Sequence, residues 1–225
     1  KQSTQRNFSL GSEWLYYKLY CGNKTSDKLL SEAIKPLTEK LLQEKIIDKW
    51  FFIRYSDPET HIRLRFHFTD LTQKAKVIAE MANFCAEFEK SGLLWKVQTD
   101  TYQRELERYG SNSMEISENL FFYDSIAIVN MLAMLEGDSG ENIRWKFAIR
   151  AVDELLSCFG YTMEAKRDLL ERLKTGFGNE FGMNRGLKGQ IDKKFRNERK
   201  NIESVLDFSQ DEESIAKHIL NSDKA

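Results

Sequence analysis

Residues 61–67, His-Ile-Arg-Leu-Arg-Phe-His, alternate strictly between polar and apolar side chains. A run of period two is the mark of a half-buried β-strand, whose successive side chains point to opposite faces. Ile62, Leu64, Phe66 and Phe68 therefore share one face, which reads as core. His61, Arg63, Arg65 and His67 line the other. Two guanidiniums two residues apart on a strand stand roughly 7 Å apart by the strand rise. They repel each other unless an anion lies between or above them. Arginine holds carboxylates and phosphates through paired N–H donors. The ordinary alternative is a solvated sheet face whose charges pair with neighbouring acids. Two of the chain's three histidines share the face with the arginines, which favours a site.

The rest of the first hundred residues supplies a sheet for this strand. Glu13–Cys21 is aromatic-rich and strand-like. Ser26 or Asp27 caps a helix to about Lys45, with Leu29, Leu30, Ile34, Leu37, Leu41 and Leu42 at helical spacing and Pro36 placed to bend or split it. Trp50–Tyr55 is a second strand, Ser56–Glu59 a turn, and His61–Phe68 the third strand. Asp70 or Thr72 opens a helix to about Lys90 that buries Val77, Ile78, Met81, Phe84, Cys85 and Phe88; Leu94–Tyr102 is a fourth strand. The order β-α-β-β-α-β predicts an α+β fold with a ferredoxin-like split βαβ sheet over residues 1–110. Both helices then cover the face of Ile62, Leu64 and Phe66, and the arginines lie on the face away from them.

From about Glu115 the pattern turns helical: Glu118–Glu136, an apolar run read as buried on most sides, then Glu141–Phe159, Thr162 to about Lys174, Asn184–Leu206 and a short tail helix at Asp211–Asn221. This half, residues 111–225, is expected to pack on the open sheet face and wall in the arginines, making one compact domain. A chain that opens on Lys1 reads as a fragment of a longer protein.

Composition narrows the function classes. With 34 basic and 35 acidic residues there is no global footprint for nucleic acid or membrane. No apolar run is long enough to span a bilayer and no signal peptide is visible. Cys21, Cys85 and Cys158 are widely spaced and odd in number; they read as packing positions in a reducing cytoplasm. No phosphate loop, dinucleotide fingerprint, zinc spacing or nucleophile elbow occurs, so neither a metal nor an organic cofactor is expected. The basic run Lys193–Lys200 reads as a solvated helix face. Direct nucleic-acid binding is not expected.

The residues offer few candidates for chemistry. Arg104, where the fourth strand ends, could join Arg63 and Arg65 around one anion; alternatively its own acids, Glu105 and Glu107, pair it. Tyr102 and Tyr109 offer hydroxyls or packing. His61 and His67 are the candidates for proton transfer near neutral pH, against a purely structural role. Asp124 and Ser125 read as internal hydrogen-bonding groups of a helix.

Several segments together resemble one family: Trp14–Tyr20 (WLYYKLY), Trp50–Tyr55 (WFFIRY), Asp57–Phe66 (DPETHIRLRF), Tyr102–Glu105 (YQRE) and Glu107–Gly110 (ERYG). They are similar to the thiopeptide-type bacteriocin biosynthesis domain, the C-terminal glutamate-eliminating domain of class I lanthipeptide (lantibiotic) dehydratases. The match runs from about residue 8 to 135 and more weakly to about 205. The resemblance implies that a glutamylating domain, in cis or in trans, esterifies Ser or Thr of a ribosomally made precursor peptide, and that this domain eliminates glutamate to leave a dehydroamino acid. It implies roles for Arg63, Arg65 and Arg104 in holding the leaving carboxylate. The family commonly carries a histidine shortly before an Asn-Arg pair. Here the pair is Asn184-Arg185, and Glu180 stands upstream with no histidine. Glu180, His61 and His67 are then candidate bases, and Arg185 and Tyr102 candidate substrate contacts. The alternatives are a non-catalytic precursor-peptide binding or scaffold domain, or a related thiopeptide-type cyclisation.

Overall fold

The computed structural model describes residues 4–135 and 137–207, with backbone alone at 137–142. They form two compact units, one up to Ala133 and one from Met134. The tail helix expected at Asp211–Asn221, with His218, lies outside the described residues.

The first unit opens on a two-residue strand, β1 (Asn7–Phe8), followed by β2 (Trp14–Cys21) and α1 (Asn23–Leu29). A π-helical turn (Leu30–Ile34) leads into α2 (Lys35–Gln43). Then come β3 (Lys49–Ser56), β4 (Thr60–His67), α3 (Lys74–Lys90), β5 (Leu94–Asp100), β6 (Tyr102–Gln103), the one-turn helix α4 (Leu106–Tyr109) and α5 (Met114–Met134). The second unit holds α6 (Gly137–Cys158), α7 (Met163–Glu180) and α8 (Arg185–Leu206).

The main sheet runs β3-β4-β2-β5 with every pair antiparallel. That is the strand order of a split βαβ unit, so the α+β expectation holds. The alternation of β4 partitions as read: Ile62, Leu64 and Phe66 are fully buried, and they share their face with Leu15, Leu19 and Tyr17. Tyr17 lies edge-on to Phe66 and near Cys85 of α3, which identifies this face as the one the helices cover. Burial holds the Tyr17 phenol up to about 12.

Local chemistry explains most departures from the expected elements. The first helix is divided because Pro36 has no N–H to give to the preceding turn, and the chain widens into the π-helical turn just before it. Asp70, not Thr72, caps the approach to α3: its side chain accepts from the Thr72 N–H at 2.9 Å. Along α3, Val77, Met81, Cys85 and Phe88 are buried, whereas Ile78 is exposed and Phe84 half-buried; one helix lying on a sheet covers only a narrow stripe. The strand expected over Leu94–Tyr102 breaks at Thr101. There the chain leaves β2 and pairs instead with β1, matching Phe8 to Tyr102.

Helix α5 begins at Met114 and is not buried on most sides. Its buried stripe includes Glu118 and Ser125, while Ile116, Leu120 and Tyr123 are exposed. Ser125 Oγ accepts from the Phe52 N–H at 3.1 Å, so the free edge of β3 gains a partner from a helix. Asp124 is exposed. In the second unit α6 starts at Gly137, earlier than expected, and α7 runs on to Glu180. Lys166 of α7 is buried and satisfied by Asp153 and Ser157 of α6, each at 2.7 Å. The apolar side of α8 is not buried; Ile191 and Phe195 are exposed. No described helix is long and apolar enough to cross a membrane.

Cys21 and Cys85 are packing positions as read, but Cys158 is exposed. Burial pushes the Cys85 thiol up to about 12 and raises that of Cys21 as well. The thiolate is the reactive form. An aromatic disulfide reagent at mildly alkaline pH is therefore expected to release one thiol rapidly from the native protein, at Cys158, and all three after denaturation. Rapid release of a second thiol from the native chain would contradict the packing of Cys21 and Cys85.

Candidate functional site

Strand register arranges the sheet face opposite Ile62, Leu64 and Phe66 in rows. One row reads Phe51, Arg65, Tyr16, Asp100; the next Ile53, Arg63, Lys18, Gln98; the third Tyr55, His61, Tyr20, Lys96. Arg63 and Arg65, brought to one face by their spacing in the sequence, are thus joined by Lys18 from the neighbouring strand.

Arg65 is the centre of this face. It is 7 % exposed, and its guanidinium carbon lies 4.4 Å from the Tyr16 ring, 4.8 Å from Tyr102 and 5.0 Å from Phe51. Aromatic faces attract a cation but accept no N–H···O bond. Arg65 Nε and Nη1 are buried and have no hydrogen-bond partner; among the described residues they share that condition only with the Trp14 and Trp50 indoles. Burial pushes the guanidinium below its ordinary value, with Tyr16 and Tyr102 opposing. A charged donor set held dry with two N–H groups unmet is costly to the fold.

Arg63 is fixed differently. Its Nε donates to His61 Nε2 at 3.2 Å, and the guanidinium lies 3.5 Å above the Tyr55 ring. His61 is buried and donates from Nδ1 to the Glu59 carbonyl at 2.7 Å, with its ring against Tyr20 at 4.8 Å. A neutral imidazole has one N–H and one lone pair; both are engaged here. His67, the other histidine of the strand, joins Asp48 at 2.5 Å and packs on Trp14.

Arg104 follows neither of its two sequence readings. Its Nε and Nη2 meet the two carboxylate oxygens of Glu118, both at 2.7 Å, and Nη1 donates to the Gln5 carbonyl at 3.1 Å. The partner acid comes from α5. Tyr102 donates its hydroxyl to the same carboxylate at 2.8 Å, and burial followed by the Glu118 charge raises the phenol above its ordinary range. Phe8, Trp14, Tyr16, Phe51 and Tyr102 form one buried cluster, with Phe121 of α5 packed against it. The Glu118 network thus fixes Tyr102, whose ring faces Arg65. Glu105 pairs with Arg108 at 3.1 Å and is an acid whose charge reaches Arg65. Gly110, at φ +76°, closes α4; a Cβ there would stand 2.9 Å from Ser113 Oγ. Tyr109 packs on Phe121.

A cleft of about 490 Å³ opens beside the network, walled by Glu13, Lys49, His67, Arg104, Glu115 and Glu118 among others. Its acids outnumber its fixed cations, so it is a poor anion site. Among the described residues no group of three or more His, Cys, Asp and Glu side chains is placed to hold a metal ion. In the second unit, Glu180 ends α7 and Arg185 begins α8. Asn184 caps α8 by accepting from the Leu187 N–H at 3.0 Å, and Glu180 and Arg185 are exposed.

Sequence reasoning missed Lys18, Asp100, Tyr16 and Glu118. Lys18 Nζ meets Asp100 Oδ2 at 2.5 Å, and the Tyr16 ring lies 5.7 Å away. The hydrogen bond to Asp100 raises the Lys18 ammonium, and the bond to Lys18 lowers the Asp100 carboxyl. Parity within Trp14–Cys21 places Tyr16 and Lys18 on one face. Only the register shows that this is the face of the arginines.

Comparisons with known proteins show the family. Residues 14–224 match the family described as lantibiotic biosynthesis dehydratase, C-terminal. Subtilin biosynthesis protein SpaB of Bacillus subtilis is 32 % identical over 181 residues, 77 % of this chain and 17 % of that protein. Nisin biosynthesis protein NisB of Lactococcus lactis subsp. lactis is 34 % identical over 137 residues, 60 % of this chain and 13 % of that one. The crystal structure of the tRNA-dependent lantibiotic dehydratase MibB from Microbispora sp. 107891 aligns with a TM-score of 0.51 at 32 % identity, over 56 % of this chain and 12 % of that one. The crystal structure of TsrL shares the fold at 14 % identity, with a TM-score of 0.58 over 86 % of this chain and 59 % of that one. The chain spans less than a fifth of the length of SpaB, NisB or MibB.

Proposed function

The chain belongs to the C-terminal family of lantibiotic biosynthesis dehydratases, and from that membership we propose that it eliminates glutamate from glutamylated Ser or Thr of a precursor peptide during lantibiotic biosynthesis. A base removes the Cα proton. The electron pair forms Cα=Cβ, the Cβ–O bond breaks, and glutamate departs as a carboxylate. The product is dehydroalanine from Ser and dehydrobutyrine from Thr.

The observation that carries this reading is Arg65, a buried guanidinium with two unmet N–H donors inside an aromatic box. A departing carboxylate gains charge as the C–O bond breaks. Donors already desolvated and aimed stabilise that charge without reorganising at the moment of reaction. Arg63, with Nε tied to His61, keeps its Nη groups for the same anion. Arg104 supports the site by fixing Glu118 and Tyr102. The proposal places the reaction in the cytoplasm and takes the ester from a glutamylating activity in cis or in trans.

Mass spectrometry of a synthetic peptide carrying glutamyl-Ser, incubated with the chain, tests the proposal. Loss of glutamate by the wild type and not by Arg65→Ala is expected. A peptide that stays glutamylated yet bound would overturn elimination and favour a binding module. The same assay on Glu180→Gln and Arg185→Ala reads what the second unit contributes.

His61 separates two roles. With both ring nitrogens engaged, we assign it the positioning of Arg63. Gln at this position can still accept from Arg63 Nε, whereas Phe cannot. His61→Gln is expected to keep glutamate loss within about tenfold of wild type and His61→Phe to lose more, about one hydrogen bond to a charged group. Equal and severe loss in both variants would mark His61 as a proton-transfer group instead.

A further inference from the structure

We propose that the Lys18–Asp100 pair selects the leaving group, reading the two charges of a glutamyl ester that Arg65 does not hold. This rests on the elimination reading and extends it to residues that reading does not use.

Lys18 stands in register with Arg63 on one side and Gln98 on the other, in the row next to that of Arg65 and Tyr16. Asp100 is the strand partner of Tyr16. The Tyr16 ring lies 4.4 Å from the Arg65 guanidinium carbon and 5.7 Å from Lys18 Nζ, and the charges of Arg63 and Asp100 also reach its phenol. Glutamate has the complementary set, two carboxylates and one ammonium. With the α-carboxyl as the ester, the ammonium stays beside the leaving carboxylate and the γ-carboxylate is free at the far end of the side chain. The leaving carboxylate goes to Arg65 and Arg63, the free carboxylate to Lys18, and the ammonium to Asp100.

The resting ion pair is suited to this exchange. Its side chains are 19 % and 41 % exposed, so a ligand can reach both without unfolding the strand. Each group keeps an opposite charge at its side when the ligand's own pair is inserted, which avoids stranding either. The arrangement also gives specificity. An ester lacking the ammonium leaves Asp100 facing no new cation, and one lacking the second carboxylate adds nothing at Lys18.

Calorimetric titration of the chain with L-glutamate, glutarate and L-2-aminobutanoate tests the assignment. Glutarate lacks the ammonium, and L-2-aminobutanoate lacks the second carboxylate. Wild type is expected to bind L-glutamate about tenfold or more tightly than either, one charge-assisted hydrogen bond being of that size. Asp100→Asn is expected to erase the preference over glutarate, and Lys18→Met the preference over L-2-aminobutanoate. The exchange Lys18→Asp with Asp100→Lys keeps an ion pair for the fold and is expected to lose both. Variants that discriminate as wild type does would overturn the proposal, as would a wild type that does not discriminate. The two readings fail separately. Discrimination without turnover of the glutamylated peptide would remove elimination and leave the selective site. Turnover indifferent to Lys18→Met and Asp100→Asn would do the reverse.

Discussion

Arg65→Met is expected to abolish most glutamate loss while leaving the fold as stable as wild type or more so. The two effects come from one feature. In the native chain Arg65 is buried among Tyr16, Phe51 and Tyr102, with Nε and Nη1 unmet. Removing a preorganised donor from a developing anion costs about 10²–10³ in rate. Removing an unmet buried charge relieves desolvation, and Met fills similar space without polar atoms. Against this stands the lost cation–π attraction, about 0.5–2 kcal/mol. The net change in stability is expected to lie within about 1 kcal/mol of zero or to favour the variant. Leu64→Ala, the neighbouring residue on the helix-covered face, is the contrasting control at about 2–5 kcal/mol of loss. Urea midpoints and the peptide assay on the same preparations decide it. If Arg65→Met were destabilised like Leu64→Ala, the guanidinium would be a structural element rather than a receptor held at the expense of stability. Full activity in a stable Arg65→Met would remove it from the reaction.

How far the sequence reaches is visible in these same residues. The faces of β4 could be read because alternation is a local property, and a half-buried strand has no other solution. The order of long elements led to the split βαβ sheet for the same reason. What could not be read depends on pairings distant in the chain. β1 and β6 are two residues each and meet across almost the whole first unit. Neither carries a pattern, yet their pairing lays Phe8 and Tyr102 over the sheet and closes the box around Arg65. Lys18 was visible as a charge in an aromatic strand. Its place beside Arg63 requires the β2–β4 register, and a slip of one residue would turn it to the helices. Glu118 was hidden most completely, since it opens an apolar stretch of α5 that read as buried on most sides. The structure shows a carboxylate inside that helix's buried stripe because Arg104 and Tyr102 arrive there with donors. The second unit shows the opposite error. Residues 111–225 read as packed helices, and along α8 no residue is buried, with Ile191 and Phe195 exposed.

Glu118→Ala is expected to be among the most damaging single changes in the first unit, costing about 3–5 kcal/mol, because it strands a buried guanidinium. Arg104 and Glu118 have side chains 7 % and 1 % exposed and are joined through two 2.7 Å bonds. Without the carboxylate, Arg104 keeps the Gln5 carbonyl and the Phe8 ring at 4.7 Å but no opposite charge bonded to it, and the Tyr102 hydroxyl loses its acceptor. The loss is thus larger than the worth of the pair, and a double variant separates the two. Glu118→Leu with Arg104→Met leaves no charge to strand and packs apolar groups against Phe8 and Phe121. It is expected to recover most of the stability, since replacing a buried ion pair with well-packed apolar side chains is commonly neutral or better. Urea midpoints for wild type, Glu118→Leu, Arg104→Met and the double variant form the cycle. A double variant no more stable than Glu118→Ala would mean that the bond to Tyr102, not the charge pair, holds α5 on the sheet. Glutamate loss adds a second readout. If the network serves the reaction by holding the Tyr102 ring against Arg65, the recovered double variant regains stability before it regains turnover. Elimination should then remain below wild type even at temperatures where every chain is folded.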